Sequence, residues 1–227
     1  MGAMTRPDIE PFDQPESWPV IERRVLGRGR VSDFVEDDIQ APDGVRFTRQ
    51  WLTHPGAVAV IALRDDDRVA VIHQYRHPVA MRLVEPPAGL LDADGEHWLD
   101  AAQRELAEEA MLRADDWRVL VDIFSTPGGV AETIRIYLAR GLHQAERPDG
   151  FEVEHEEAHM DIGWVPLADL VDAIYAGTVQ SPSMVSGVLA LHGALATGRI
   201  DSLRPADAPW PAREVWAERR RRDVATS

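Results

Sequence analysis

The chain has 227 residues, of which 44% are hydrophobic, enough to bury one sizeable core. It contains no cysteine, which excludes disulfides, zinc–thiolate sites and cysteine nucleophiles, and all 24 of its basic residues are arginine. The absence of lysine excludes P-loop, protein-kinase and pyridoxal phosphate chemistry, and the net charge of −15 favours cations over nucleic acid or anionic membranes as partners.

The beginning of the chain carries no targeting pattern. Residues 1–20 are rich in proline and polar side chains, which predicts a loose N-terminal segment. The first 25 residues lack the basic start and apolar stretch of a secretion signal, and no run of about 18 apolar residues stands in the sequence. A cytoplasmic protein is therefore expected.

The next part of the chain is typical of β-structure, because polar and apolar residues alternate and many are β-branched or aromatic. Three such segments predict a small N-terminal sheet over 21–54; they are 21–28, 31–37 and 45–53. The runs AVAVIAL (57–63) and VAVIHQY (69–75) flank the turn RDDDR and are apolar enough to be buried on both faces. They predict a hairpin in the main core.

The second half of the chain alternates between helices and strands. A loop containing Pro86, Pro87 and Gly89 precedes a predicted helix at about 98–111. An acidic segment at 143–158 interrupts the remaining elements, and an Arg-rich tail at 201–227 follows them. Those elements are strands at 117–124, 133–140 and within MDIGWVPL (160–167), and helices near 167–176 and 183–196.

The predicted helix at 98–111 contains the stretch RELAEEA (104–110), whose three glutamates occupy adjacent positions on one helical surface. One interpretation is a solvated face on which Arg104 relieves Glu108 at position i+4. The other is a site where Glu105, Glu108 and Glu109 attract a hard divalent cation such as Mg²⁺ or Mn²⁺, which prefers carboxylate oxygens. The local spacing leaves both interpretations open.

Residues upstream of the helix extend this pattern. Gly89 is followed after six residues by Glu96, and after seven more by Arg-Glu-Leu-Ala-Glu-Glu at 104–109. The arrangement resembles the Nudix box, with one extra residue in the first gap and Met111 in place of the closing glycine. Because that glycine suits a left-handed helix cap, Met111 is expected to end the helix differently or to extend it by a turn.

Three further segments look like the ADP-ribose pyrophosphatase branch of the Nudix superfamily; they are 74–92, 125–133 and 155–167. The resemblance implies an α/β fold, with a Nudix α/β/α sandwich and mixed sheet in a catalytic domain at 55–200. A small antiparallel β-sheet at 21–54 would precede it and form a homodimer.

The resemblance also implies an activity: hydrolysis of the pyrophosphate bond of ADP-ribose or a related nucleoside diphosphate sugar. Divalent cations, Mg²⁺ or Mn²⁺, would neutralise the phosphate oxygens and activate water. Glu105 and Glu109 would be the principal ligands, supported by Glu108 and the carbonyl of Ala88. Arg104 would orient the glutamates, and Glu96 would do so through the loop.

A general base is needed to take a proton from the attacking water. By resemblance it is a loop glutamate, and Glu157 matches best, with Glu156 and then Glu154 as alternatives. The segment HEEAH (155–159) also matches the H-E-x-x-H motif of zinc proteases. That motif needs a continuous helix, whereas Gly150 closely precedes it here and a predicted strand follows, so the protease interpretation is disfavoured.

Substrate contacts are expected from arginines, for the phosphates, and from a carboxylate, for sugar hydroxyls. Arg76 and Glu132 match substrate-contacting positions of the family, and Arg49 on the last N-terminal strand is a weaker candidate. A nucleotide-binding regulator with weak catalysis is the alternative function. UDP-glucose, GDP-mannose and dinucleotides remain possible substrates because the same box serves them all.

Overall fold

The computed structural model describes residues 10–93, 95–147 and 160–225, with side chains as far as Glu218 in the last helix. The strands are β1 Val20–Arg28, β2 Asp33–Gln40, β3 Arg46–Leu52, β4 Ala57–Ala62, β5 Arg68–Arg76, β6 Met81–Glu85, β7 Ala88–Leu90, β8 Leu112–Phe124, β9 Thr133–Gln144, β10 Asp161–Pro166 and β11 Arg204–Pro205. The helices are α1 Trp98–Ala110, α2 Leu167–Tyr175, α3 Pro182–Ala196 and α4 Pro211–Ala225. None of the helices in these described ranges is both long and apolar enough to cross a membrane.

The predicted N-terminal sheet is confirmed. Strands β1, β2 and β3 form an antiparallel sheet in that order. Its centre is the carboxylate of Asp37, which is fully buried and accepts hydrogen bonds from Arg23 Nε at 2.5 Å and Trp51 Nε1 at 3.0 Å. Burial of this charge is tolerable because a cation and a hydrogen-bond donor satisfy it.

The core combines two sheets. Five strands pair in the order β11-β8-β9-β4-β7, in which β4 and β9 run parallel and the other pairs antiparallel. A second sheet has the order β10-β5-β6. The predicted mixed sheet is therefore confirmed.

The predicted hairpin of β4 and β5 is wrong. The turn itself forms, with Arg64 N donating to Arg68 O at 2.9 Å, and one bridge joins Leu63 to Val69. Beyond that bridge the strands diverge, because β4 pairs with β7 and β9 while β5 pairs with β6 and β10. An apolar run indicates that a strand is buried but does not identify the neighbour with which it pairs.

Strand β4 separates two helical layers. Val58 and Val60 pack in the cluster that contains the small residues of α1, whereas Ala59 and Ile61 pack in the cluster that contains α3. Gly187 lets α3 approach closely, since a Cβ there would lie 2.6 Å from Ile61 Cγ1. The α/β/α sandwich is confirmed. The candidate active site lies at the edge of the five-stranded sheet formed by β7.

The segment predicted as an Arg-rich tail begins inside the core. Strand β11 pairs with β8, and Trp210 is fully buried. Tyr137 on β9 donates its hydroxyl to the Ala206 carbonyl at 3.2 Å, and burial raises the pKa of that hydroxyl to about 12. These contacts hold the start of α4 against the body of the protein.

Candidate active site

Helix α1 begins and ends through specific local contacts. His97 caps its first turn by accepting a hydrogen bond from Leu99 N at 3.2 Å. Met111 ends it by adopting the left-handed conformation itself, with φ 55° and ψ 43°, while its N–H bonds to Ala107 O at 3.1 Å. The helix is thus neither extended nor ended differently, contrary to the sequence-based expectation. The next residue, Leu112, is buried and starts β8, so the chain must turn here at a local cost of about 1–2 kcal/mol.

Arg104 is the centre of a carboxylate cluster on the polar face of α1. Its Nε and Nη2 bind the two oxygens of Glu96 at 2.8 and 3.0 Å. Its Nη1 binds Glu105 Oε1 at 2.7 Å and Glu108 Oε2 at 2.9 Å. One guanidinium therefore contacts three carboxylates, and the orienting role expected of Arg104 and Glu96 stays a prediction.

Strand β7 lies directly against the cluster. The N–H of Ala88 donates to Glu109 Oε2 at 2.9 Å, and Glu109 is buried. Gly89 leaves room for Glu105, because a Cβ at residue 89 would overlap its carboxylate. Strand β7 is held in turn by pairing with β4. The glycine at the start of the box pattern is thus explained by close packing against a carboxylate.

The electrostatics of the cluster reflect its burial and its excess of acid. Burial raises the pKa of the Glu105 carboxyl, and Arg104 opposes this shift. Hydrogen bonds from Arg104 lower the pKa of Glu96, and the pKa of Arg104 is raised chiefly by Glu96. Each carboxylate that loses water here needs compensating positive charge, and one arginine serves three of them.

The chemistry of this donor set fits a hard divalent cation. Glu105, Glu108 and Glu109 offer carboxylate oxygens, and Ala88, whose N–H binds Glu109, also has a backbone carbonyl; both kinds of oxygen are ligands that Mg²⁺ and Mn²⁺ prefer. Arg104 holds two of these carboxylates in their present rotamers, and across 10–93, 95–147 and 160–225 no three acidic or histidine side chains are already arranged as ligands of one metal ion. The residues present fit a cation by their chemistry and by their excess negative charge.

The predicted substrate residues lie in three different surroundings. Arg76 binds Glu85 at 2.8 Å and is 44% exposed. Glu132 accepts a hydrogen bond from the Ser125 hydroxyl and lies 3.4 Å from His54 Nε2. Arg49 stacks over the Phe47 ring at 4.6 Å and donates to the Thr48 carbonyl at 3.1 Å. Within the described chain, no hydrogen bond or ion pair joins these three residues to the Arg104 cluster.

Two residues near the site were not predicted from the sequence. His54 contacts Glu132, and Arg213 of α4 reaches the backbone beside β4 and β7. Neither belongs to a local pattern, because each contact joins residues far apart in sequence. The candidate bases Glu154, Glu156 and Glu157, and the two histidines of the HEEAH segment, lie outside the described residues.

Comparisons with known proteins identify the family of this chain. The sequence model of the NUDIX domain matches residues 53–185. An ADP-ribose pyrophosphatase of Mycobacterium tuberculosis is 40% identical over 193 residues, which cover 85% of this chain and 91% of that protein. An ADP-ribose pyrophosphatase of Bacillus subtilis is 30% identical over 154 residues, 68% of this chain and 81% of that protein.

Two further relatives widen the comparison. The methanol dehydrogenase activator of Bacillus methanolicus is 37% identical over 168 residues, 74% of this chain and 89% of that protein. The crystal structure of an ADP compounds hydrolase shares the fold, with a TM-score of 0.67 over 83% of this chain and all of that one, at 22% identity. The chain belongs to the Nudix hydrolase family and is similar to its ADP-ribose pyrophosphatase branch.

Proposed function

We propose that the protein hydrolyses the pyrophosphate bond of ADP-ribose to give AMP and ribose 5-phosphate, with Mg²⁺, or Mn²⁺ in its place, as cofactor. The observation that carries this proposal is a group of carboxylates packed against Ala88 and Gly89: Glu105, Glu108 and Glu109 of α1, with Glu96 just before the helix, share the one guanidinium of Arg104 or lie beside it. Relatives named ADP-ribose pyrophosphatase support the choice of substrate.

The chain's own residues would bind and orient the reactants. Nudix hydrolases generally use divalent metal ions, which neutralise phosphate oxygens and lower the pKa of water. Glu105, Glu109 and the Ala88 carbonyl would be the principal ligands, with Glu108 in support. Arg104 keeps Glu105 and Glu108 in place, because it makes one hydrogen bond to each of them and is itself fixed by two hydrogen bonds to Glu96.

Proton removal is assigned to Glu157, with Glu156 as the alternative. A carboxylate within reach of the attacking water accepts its proton as the bond to phosphorus forms. For the substrate, Arg76 and Arg49 would contact the phosphates, and Glu132 would contact the sugar hydroxyls. Ser125 and His54 hold the Glu132 carboxylate and so would fix its orientation.

The protein is also proposed to be a homodimer formed through the N-terminal sheet. Strand β1 is an edge strand paired with β2, and several large apolar side chains on this sheet are exposed to solvent. The exposed apolar residues are Val20, Ile21, Val25, Leu26, Phe34 and Leu52. Such a surface is typical of one that another chain covers.

The function is tested by incubating the protein with a panel of nucleoside diphosphate sugars and dinucleotides at millimolar Mg²⁺, followed by identification of the products. AMP and ribose 5-phosphate from ADP-ribose, with slower turnover of UDP-glucose and GDP-mannose, would support the proposal. Binding of ADP-ribose without any product would instead favour the regulator alternative, to which the similarity to an activator protein also points.

The assignment of the base gives the first prediction. Glu157→Gln should lower kcat by about 10²–10⁴-fold while Mn²⁺ affinity is retained, because the variant loses a proton acceptor and no cation ligand. Glu156→Gln is the matched control and should change kcat far less. The reverse pattern would move the base to Glu156, and full activity in both variants would refute a loop base.

A further inference from the structure

Helix α4 brings one arginine to the edge of the active site. Arg213 Nη1 donates to the Pro55 carbonyl, and Nη2 donates to the Leu91 carbonyl at 3.3 Å. The guanidinium also lies 4.3 Å from the centre of the Trp216 ring. Trp210, three residues earlier, is fully buried and anchors this end of the helix. Residues of its own segment, Trp216 and Trp210, therefore hold Arg213 in place.

The Leu91 carbonyl lies at the end of the segment that contacts the glutamates. We define residues 88–91 as the carboxylate arm, because Ala88 binds Glu109 and Gly89 packs on Glu105. The arm is joined to β4 by the hydrogen bond from Leu91 N to Gly56 O at 3.0 Å and by β-pairing. Arg213 adds a side-chain bond at the point where β-pairing ends.

The Pro55 carbonyl lies beside the residue that contacts Glu132. We define His54 and Glu132 as the substrate arm, since His54 Nε2 is 3.4 Å from Glu132 Oε1. His54 Nδ1 accepts a hydrogen bond from Gly56 N at 3.1 Å, which fixes the ring relative to the backbone that Arg213 binds. One guanidinium thus contacts both the Leu91 carbonyl of the carboxylate arm and the Pro55 carbonyl next to the substrate arm.

The backbone at residue 56 suits this contact. Gly56 has φ +85°, a conformation that other residues rarely adopt, and a Cβ there would lie 3.1 Å from Arg213 Nη1. Burial lowers the pKa of His54, and the charge of Arg213 lowers it further while Glu132 opposes both. Packing and electrostatics therefore both report that Arg213 is close to the substrate arm.

We propose that Arg213 is a positioning residue that fixes the carboxylate arm and the substrate arm relative to each other, so that helix α4 is part of the catalytic unit. This role rests on the function proposed above. The guanidinium suits the task because its rigid fork donates to two carbonyls at once, whereas a lysine would act as a point charge.

The test compares Arg213→Gln and Arg213→Lys with Arg199→Gln, a control in which an exposed arginine beyond α3 is changed in the same way. Arg213→Gln should lower kcat/KM by about tenfold or more, the range found when groups that orient ligands are removed, and weaken Mn²⁺ binding, followed by electron paramagnetic resonance, in parallel. Arg213→Lys should recover part of both losses. The control should match the parent in both measurements.

Two readouts separate this inference from the proposed function. If the parent releases no AMP from ADP-ribose, the proposed function fails, yet Mn²⁺ affinity and the His54 pKa by NMR still test Arg213. In Arg213→Gln the His54 pKa should rise, because a nearby positive charge is removed. The proposal would be overturned if Arg213→Gln had the same kcat/KM, Mn²⁺ affinity and His54 pKa as the parent. An activity loss fully explained by the unfolded fraction, measured by circular dichroism, would also overturn it.

Discussion

Two clusters in this protein each combine an arginine with carboxylates, but they differ in the ratio of arginines to carboxylates. Arg135 on β9 is fully buried and pairs with Asp122 at 2.8 Å, donates to the carbonyls of Ala208 and Pro209, and lies 4.8 Å from the Trp210 ring. Arg104 on α1 keeps about a third of its side chain exposed and faces three glutamates.

The difference lies in the balance of charge. Asp122 has two arginine partners, because Arg204 also binds it at 2.7 Å, so no acid in the Arg135 cluster lacks a cation. Around Arg104 three carboxylates share one arginine, and two of them, Glu105 and Glu108, are largely buried. A cluster whose charges balance stabilises the fold, whereas a cluster with an excess of carboxylates attracts a further cation at a cost in stability.

The largest expected effect comes from breaking the balanced cluster. Arg135→Gln should lower the free energy of unfolding by about 3 kcal/mol, because it removes a buried cation together with its bonds to Asp122 and two carbonyls. Urea unfolding measures this change, with Arg113→Gln, an exposed arginine on neighbouring β8, as the control. A loss below about 1 kcal/mol would show that this cluster contributes little to the fold.

Breaking the unbalanced cluster should affect turnover instead of stability. Glu109→Gln keeps an oxygen that can accept from Ala88 N but loses the ligand charge, so kcat should fall at least about a hundredfold, or about 2.7 kcal/mol of barrier. Asp100→Asn, an exposed acid in the first turn of the same helix, is the control and should leave kcat unchanged. Near-normal turnover of Glu109→Gln at saturating Mg²⁺ would refute its role as a ligand.

The smallest effect concerns the stability cost of the excess charge. Burial raises the pKa of Glu105, so the folded state binds its proton more tightly than the unfolded state, and stability from this group is lost as pH rises through its folded pKa. At neutral pH in EDTA, Glu105→Gln should therefore melt at the parental temperature or up to about 3 °C higher. The difference should shrink in acid, where the parental carboxyl is protonated. A clearly lower melting temperature at neutral pH would contradict this account.

The same comparison shows what could be predicted from the sequence. Helix α1 was predicted to within a residue, because its apolar positions repeat with the helical period and its glutamates follow a known spacing. The ending at Met111 was not predicted, since a left-handed methionine is imposed by the buried Leu112 and the start of β8. Local preference favours glycine there, and tertiary structure overrides it.

The balanced cluster had no sequence signal at all. Arg135, Asp122 and Trp210 meet only because β8, β9 and the segment after β11 pack together, and the sequence indicates only an Arg-rich tail where Trp210 lies. The failed hairpin of β4 and β5 has the same origin, because burial was predictable and pairing was not. Contacts between residues distant in sequence escape arguments from local pattern.

The central claim is that the excess carboxylates around Arg104 hold a divalent cation. A titration with Mn²⁺, followed by electron paramagnetic resonance, tests it directly on the parent, on the double variant Glu105→Gln/Glu109→Gln, and on Asp100→Asn. The account predicts that the double variant binds Mn²⁺ at least about tenfold more weakly than the parent, because two ligand charges are lost, while Asp100→Asn binds as the parent does. Equal Mn²⁺ affinity in the parent and the double variant would contradict the account.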